Sequence, residues 1–542
     1  MIDPLSELAI RHGTDKFGLH DYTPRYHQLF APLRDRPIRL LEIGVGGYQD
    51  ADRGGQSLAM WRDYFPQGQI TGIDIQTKAL ALGPRVAVLR GSQIDADFLA
   101  EVVATRGPFD IIIDDGSHRN EHVVESYGLL FPTMAAGGLY VAEDVQTAFF
   151  PRFGGSLDLE APNSVGYFAE IAARLGQDAD PLVADVACVT RFHNMIALHK
   201  VARIPDATRT VVADITPAAL AEAFAALAEG ESLRIAGRPE GALAADIRAR
   251  FIAVDHREIA VHFPRATLHG QARDLCRIDL MADGVVLTRG ANDYPSNFAF
   301  DATQPQAAAA LAQMEAVLRE TGEEGGFVHY AGILTAQYGR EAARDWIDRL
   351  TAMEARARLY FQLAIGLAQR DKDGAQVQAL ARRALSIYPA DAGFTLSLAT
   401  ALLAADGGAE ARALVEAALA STPRDMNLLL LLSRIASQAG EADSAILHAR
   451  RAVEVSAAQR RAKPLTRLGE LLAKQGAHDE ALRLLREAAA LPGQFAPRSL
   501  RALSAVLKTQ GDIPAAVAAA EKAVALAPDT REFQNWLNAL RG

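Results

Sequence analysis

Leu40-Leu41-Glu42-Ile43-Gly44-Val45-Gly46-Gly47-Tyr48 is an apolar run that breaks abruptly into glycines. A run this short, with one acid inside it, suits a buried strand better than a helix. Glycines directly behind the strand admit left-handed backbone and let N–H groups and a following helix N-terminus approach a ligand closely. The pattern repeats outward. Ile38–Ile43, Gln69–Ile75, Val86–Leu89, Phe109–Ile113 and Gly138–Ala142 each read as a buried strand, with helical patterns such as Gly55–Tyr64 and His118–Met134 between them. Strands alternating with helices predict parallel pairing in a Rossmann-like, doubly wound α/β sheet. Ala187–Lys200 reads as a hairpin that closes the sheet edge antiparallel.

The glycine loop alone does not name its ligand, because dinucleotide-binding folds share GxG. Gln49 stands where GxGxxG has its third glycine, so the pyrophosphate contact is not signalled. Glu42, two residues before Gly44, suits a ligand bearing an ammonium group better than one bearing phosphates. Asp74 ends the second strand, where an acid accepts ribose hydroxyls, and the turn Gly91-Ser92-Gln93 after the third strand suits an adenine ring. NAD binding and a ligand-free relic of the fold are the competing readings.

Two further strands end in paired acids: Phe109-Asp-Ile-Ile-Ile-Asp114-Asp115-Gly-Ser-His118 and Gly138-Leu-Tyr-Val-Ala-Glu143-Asp144. In a parallel sheet both pairs arrive at the carboxyl edge, where such folds bind ligands. Four carboxylates without basic neighbours repel unless a cation sits among them, and all-oxygen ligation favours Mg²⁺ before Mn²⁺ or Ca²⁺. The plainer reading makes Asp115 and Ser117 helix N-caps. His118-Arg-Asn-Glu121-His122 is a literal HxxEH, but its first histidine ends a Gly-Ser turn behind a buried strand, which argues against a zinc-protease site and leaves His122 a packing residue.

Glu42, Gly44, Gly46, Asp74 and the Gly91 turn together resemble class I S-adenosylmethionine (SAM) methyltransferases. Adding Asp114-Asp-Gly-Ser-His118, Gly137-Gly-Leu-Tyr-Val-Ala-Glu143-Asp144 and the leader His12-Gly-Thr14-Asp-Lys16 with His20-Asp-Tyr22-Thr-Pro-Arg-Tyr26 narrows the likeness. Residues 9–201 resemble the metal-dependent macrolide and sugar O-methyltransferases of the mycinamicin type. That resemblance implies Asp115, Glu143 and Asp144 as Mg²⁺ ligands and His118 as general base. It implies a SAM site drawn from Thr14, Lys16, Glu42, Gly44, Gly46, Tyr48, Asp74, Ser92, Gln93 and Asp114. The acceptor implied is a sugar hydroxyl on a glycan, glycolipid or glycosylated metabolite. Two departures stand out: the macrolide enzymes carry an N-terminal auxiliary domain, whereas almost nothing precedes residue 9 here, and Ser92 replaces an expected Asp.

Beyond Ala202 the texture changes. Residues 204–330 mix an Ala-rich helix (Pro217–Glu229), strand-like pieces at Ser232–Ile235 and Ile259–Phe263, and a hairpin-like run, Asp274–Arg289, that echoes the first hairpin. They read as a small α/β middle segment behind a 1–203 methyltransferase-like domain, with a helical linker at 331–357. From 358 to 542 glycines recur at 374, 408, 440, 476 and 511, at intervals of 34, 32, 36 and 35. Small residues recur within each unit: Leu398-Ala399, Ala411 and Ala418; Leu432-Ser433, Ala445 and Ala452; Leu468-Gly469, Ala481 and Ala488; Leu503-Ser504, Ala516 and Ala523. Pro389, Pro423, Pro492 and Pro528 punctuate the units, and Thr530–Arg541 reads as a capping helix. This resembles the tetratricopeptide (TPR) repeat, an all-α solenoid of antiparallel helix pairs that recruits a partner protein, self-associates or holds an extended substrate.

The 542 residues leave room for three or four domains, and 49% apolar with 23% charged residues is globular composition. With 56 Lys and Arg against 66 Asp and Glu, the net charge of −10 argues against nucleic acid as partner. No apolar run is long enough to span a membrane, Met1-Ile2-Asp3-Pro4 lacks the order of a secretory signal, and Cys188 and Cys276 form no disulfide framework. A cytoplasmic enzyme is expected; the rival is a catalytically inactive, methyltransferase-like TPR adaptor.

Overall fold

The computed structural model describes residues 2–18, 20–159, 163–202, 204–292, 305–321, 324–351, 357–491, 493, 495–527 and 530–541. The chain divides into two compact units, one holding Asp52–Gly339 together with the residues up to Tyr48, the other holding Gln49–Ala51 and the residues from Arg340 onward.

The first unit is built on eleven strands: β1 (Arg39–Ile43), β2 (Gln69–Asp74), β3 (Val86–Arg90), β4 (Ile111–Asp114), β5 (Leu139–Glu143), β6 (Cys188–Phe192), β7 (Met195–His199), β8 (Arg209–Val212), β9 (Ser232–Ala236), β10 (Leu275–Met281) and β11 (Gly284–Arg289). They form one sheet in the order β3-β2-β1-β4-β5-β7-β6-β10-β11-β9-β8. The first five strands pair in parallel, as expected of apolar runs separated by helices. β1 lies between β2 and β4, so the connections after β1 and β4 leave the same edge in opposite directions and open a crevice there. Ile111, Ile112 and Ile113 are fully buried, because helices cover both faces of a parallel sheet.

The region after residue 203 differs from the sequence reading. The hairpin β6–β7 does not end the sheet. β6 pairs antiparallel with β10, Ile278 opposite Arg191 and Met281 opposite Cys188, so the two hairpins that echo each other lie side by side. The middle segment thus extends the same sheet rather than forming a module of its own. An all-buried β6 leaves an apolar edge that must be paired, and its partner lies some ninety residues away, beyond any local pattern. Ile259–Phe263, read as strand-like, lies at a short helix, His256–His262; a brief apolar run does not separate the two states. Cys188 and Cys276 are both free thiols.

The second unit holds antiparallel helix pairs: Ala357–Arg370 with Gly374–Ile387, Ala392–Ala404 with Gly408–Ser421, Met426–Gln438 with Ala442–Val455, Ala462–Lys474 with His478–Ala490, and Ala496–Thr509 with Ile513–Leu526, followed by Arg531–Arg541. The small residues sit where the helices of a pair touch. Ser433 Oγ donates to the Ala445 carbonyl at 2.7 Å, and Ser504, at the matching position of a later pair, to Ala516 at 2.6 Å. At the intermediate unit a Cβ on Gly469 would meet Leu485 Cγ at 2.7 Å, so glycine keeps that pair close. Pro492 and Pro528, and residues 352–356 of the expected linker, lie outside the described residues. Among the described residues no helix is long and apolar enough to cross a membrane.

Candidate functional site at the strand tips

Gly44 ties the glycine loop to the acidic loop. Its φ is +92°, and a Cβ would fall 2.1 Å from the Asp115 carbonyl oxygen, so the two backbones cross at a distance that excludes any side chain. Asp115 N in turn donates to Ile43 O at 3.0 Å. Gly46 has φ +73° and borders open space, since a Cβ placed on it would come no nearer than 3.9 Å to its closest neighbour, Gly54 Cα. Asp74 is turned toward the same loop, Oδ2 accepting from Val45 N at 3.1 Å and Oδ1 from Gln76 N at 2.7 Å.

The acids at the tips of β4 and β5 do not converge without a basic neighbour, as the sequence suggested. Lys16 stands among them. Its Nζ donates to Asp115 Oδ2 at 2.8 Å and to Glu143 at 2.7 Å, and lies 3.5 Å from Glu42 Oε1. Burial works to lower the Lys16 pKa, but Asp115, Glu143 and Glu42 outweigh it and hold the ammonium well above its usual value. Tyr26 OH donates to Glu143 at 2.5 Å. Burial, then the Asp115 charge, raises the Glu143 carboxyl well above the usual range. Burial pushes the Glu42 carboxyl up to about 7 against the pull of Lys16.

A second, more open group lies beside this one. Ligand atoms of Asp115, His118 and Asp144 all fall within 4.8 Å of one another. Their side chains are 28%, 24% and 16% exposed, against 1% for Glu143 and 2% for Lys16, so the three are open to solvent while the other two are enclosed. Of the three acids expected around a cation, Asp115 and Asp144 belong to this open group with His118, and Glu143 is turned to Lys16 and Tyr26. His118 Nε2 lies 3.5 Å from Asp144 Oδ2. His118 and Asp144 both have left-handed backbone, φ +55° and +53°, a conformation that costs about 1 kcal/mol in a non-glycine residue and is concentrated at functional sites.

Asp144 is aimed by Tyr22, which the sequence placed in the leader, and by Asn194, which the sequence left without a role. Tyr22 OH donates to Oδ1 at 2.5 Å and Asn194 Nδ2 at 3.0 Å, and Asn194 also donates to Tyr22 OH. Asn194 sits at φ +57° in the tight turn between β6 and β7, a place where Asn after His193 was legible as a turn but not as a brace. The middle segment holds that turn: Asp255 accepts from Asn194 N at 2.7 Å and from the Arg191 guanidinium, and Glu258 accepts from His193 at 3.1 Å.

The remaining expected residues are dispersed around the crevice. Asp114 lies inside, accepting from Tyr140 OH at 2.9 Å and Gln93 Nε2 at 3.1 Å, and burial raises its carboxyl to about 6. Gln93 is bound to Asp114, Ser126 and Ser117 N. Ser92 Oγ accepts from Ile94 N at 3.3 Å, Thr14 is buried beside Lys16, and Tyr48 is 91% exposed. His122 bonds Ser117 Oγ at 2.8 Å, and no cation cluster among the described residues joins it to His118.

The residues present fit both groups the resemblance implies. Glu42 Oε1 is buried beside a glycine turn with open space and makes no hydrogen bond, its nearest cation being Lys16 Nζ at 3.5 Å, which leaves an acceptor for a ligand ammonium. The two carboxylates of Asp115 and Asp144, partly open to solvent, suit a hard divalent ion, with the His118 imidazole beside them.

No protein-family model matches the chain. It is 44% identical over 202 residues, 36% of this chain and 53% of the relative, to the 8-demethyl-8-alpha-L-rhamnosyl tetracenomycin-C 2'-O-methyltransferase of Streptomyces olivaceus. It is 51% identical over 155 residues, 28% of this chain and 39% of the relative, to the mycinamicin VI 2''-O-methyltransferase of Micromonospora griseorubida. Among solved structures it resembles the MycE methyltransferase of the mycinamycin biosynthetic pathway in complex with Mg, SAH and mycinamycin VI (41% identity, TM-score 0.35, 38% of this chain and 57% of that one). It also resembles a thermophilic TPR protein of Thermus thermophilus (23% identity, TM-score 0.30, 33% of this chain and 96% of that one). The chain spans 39 to 53% of the length of the curated relatives it matches.

Proposed function

We propose that this chain, similar over a third of its length to sugar O-methyltransferases, is itself a SAM-dependent, Mg²⁺-assisted O-methyltransferase of a sugar hydroxyl. The observation that carries the reading is the half-open group of Asp115, His118 and Asp144, packed through Gly44 against the end of the strand that bears Glu42. When bound, the sulfonium donor supplies an electrophilic methyl group and the cation acidifies the acceptor hydroxyl. His118, with Nε2 3.5 Å from Asp144 Oδ2, takes the hydroxyl proton as the oxygen becomes the nucleophile. Glu42 and the Gly44–Gly46 turn would hold the donor, and Asp115 and Asp144 would hold the cation, beside which the acceptor hydroxyl would be placed. Lys16 and Tyr26 neutralise Glu143, which keeps the inner acids from repelling one another. The acceptor belongs to a glycan, glycolipid or glycosylated metabolite, and the helical unit recruits a partner chain that brings the enzyme to it.

The adaptor reading has one observation in its favour: the Lys16 ammonium already neutralises acids that a metal would otherwise neutralise. Calorimetry with SAM, with and without Mg²⁺, separates the two. The enzyme binds SAM, and Asp115→Ala abolishes Mg²⁺-dependent SAH release with methyl α-L-rhamnoside as acceptor while SAM affinity stays within about threefold. An absence of SAM binding at millimolar concentration leaves the adaptor.

A further inference from the structure

A pocket of about 840 Å³ lies in the first unit, at the same edge of the sheet as the candidate site. β6 runs antiparallel to β7, which runs antiparallel to β5, so β6 ends at that edge with Phe192. β10 runs antiparallel to β6 and begins there, near Arg277, and β11 ends there with Arg289. The helix Thr23–Phe30 adds Arg25 and Gln28 to the lining. This helix and β6 both run directly into the residues that aim Asp144. Tyr22, which donates to Asp144, immediately precedes the helix, and Asn194, its other donor, stands two residues beyond Phe192. Three strand spacings, about 14 Å, separate the tips of β5 and β10.

Three guanidinium groups line the pocket, those of Arg25, Arg277 and Arg289, against one carboxylate, Glu229. The Arg277 side chain is 7% exposed and is fixed by Asp279, through Nε at 2.8 Å and Nη2 at 2.9 Å, while Nη1 donates to Gln28 Oε1 at 3.4 Å. Arg25 pairs with Asp21 at 3.1 Å. Both guanidinium groups stand over the same Phe192 ring, 5.2 Å from its centre for Arg277 and 5.9 Å for Arg25, so the two cations are held close to one another. Arg289 donates to the Ala225 and Leu227 carbonyls at the end of the helix Pro217–Ala225, and among the described residues no carboxylate lies within ion-pair distance of it. Neither Asp21 nor Asp279 belongs to the lining, so the face presented to the pocket is cationic. Cations gathered in this way are relieved by a bound anion, and a guanidinium fork already fixed in place engages a carboxylate or phosphate with little further loss of freedom.

We propose that this pocket holds an anionic sugar residue of the acceptor, a carboxylate- or phosphate-bearing unit further along the glycan from the hydroxyl placed at His118. The span between the two strand tips suits an oligosaccharide chain rather than a single ring. Gln28 and Thr288 supply neutral donors and acceptors for ring hydroxyls, beside the guanidinium groups that take the anion. Most of the lining, Arg277 and Arg289 included, comes from the middle segment. The resemblance to macrolide and sugar enzymes lies in residues 9–201, so the pocket is built largely by sequence outside it, as an acceptor of a different kind requires. The proposal rests on the sugar-acceptor reading but is read by binding without SAM or a cation, so the two fail separately.

Saturation-transfer NMR of the full chain with trigalacturonate and, separately, glucose 1-phosphate tests it, in EDTA so that no cation bridges a ligand to Asp115 or Asp144. The expected result is saturable binding of at least one of them that weakens as NaCl rises from about 50 to about 500 mM, and the one that binds tells carboxylate from phosphate. The carboxyl-reduced trisaccharide, or glucose for the phosphate, binds at least about tenfold more weakly. Arg25→Gln/Arg289→Gln weakens binding of the anion at least about tenfold with the melting midpoint unchanged, and Arg289→Gln alone about fivefold. Arg209→Gln, exposed on β8, leaves it within about twofold. Equal binding of the neutral sugar, undiminished binding by the double variant, or no binding of either anion overturns the proposal.

Discussion

The strand-tip cluster of the first unit and the groove of the second treat charge in opposite ways. At the strand tips Glu42, Asp115 and Glu143 close around one Lys16 ammonium within 3.5 Å, and Asp144 is held by two further donors. In the groove lined by the first helices of successive pairs, Arg434, Lys463, Arg467 and Arg498 stand without an ion-pair partner among the described residues, spaced by a repeat of helix pairs. The difference lies in how each scaffold fixes a side chain. Parallel strands ending at a common edge bring loops from distant parts of the chain within hydrogen-bond reach, so every charge can be answered inside the protein. A solenoid places residues by period, each repeat touching only its neighbours, and its concave face is answered by what binds there.

That contrast can be broken at either end. Gly44→Ala has the largest expected effect, because it adds a Cβ 2.1 Å from the Asp115 carbonyl at a φ of +92°. It should cost the first unit about 4 kcal/mol and abolish the heat of SAM binding, while the melting transition of the helical unit stays in place. Lys16→Met comes next. Leaving Asp115 and Glu143 without their ammonium should lower the stability of the first unit by about 3 kcal/mol in urea without divalent ions. Mg²⁺ should then raise the variant's midpoint more than the parent's, and equal shifts would show that the lysine and the ion do not answer the same acids. Asn194→Ala removes one donor from Asp144 and should lower turnover about tenfold to a hundredfold with SAM affinity unchanged. The smallest effect is expected from Arg412→Ala, which opens an exposed outer bridge and should change stability by no more than about 0.5 kcal/mol by thermal denaturation.

Much of the parallel half of the sheet was legible, and for a local reason. Leu40–Ile43, Ile70–Ile73 and Ile111–Ile113 are apolar runs too short for helices, each followed by a glycine or an acid that ends the strand. The solenoid was legible because each helix pair packs on its neighbour through small residues at a near-constant interval. The pairing of β6 with β10 was not legible, since it joins hairpins far apart in the chain whose only sign of kinship is a faint echo of sequence. Asp115, His118 and Asp144 could be named as reactive from the strands they terminate. Lys16 could be named only as part of a leader, because nothing near it in the chain says that it lies against Glu143, 127 residues on. Asn194 is the clearest omission: its left-handed turn position was open to inspection, but its hydrogen bond to Asp144 depends on β7 lying beside β5.

Periodicity, strand-ending acids and glycines are properties of neighbouring residues, and from them alone come the α/β and repeat architectures and the chemical types gathered at the sheet's carboxyl edge. Which acid faces a lysine, which faces a ligand, and which strands flank the second hairpin depend on contacts between segments far apart in the chain. Those contacts arise only when burial of the strands fixes the order in which they lie, and no local pattern records that order.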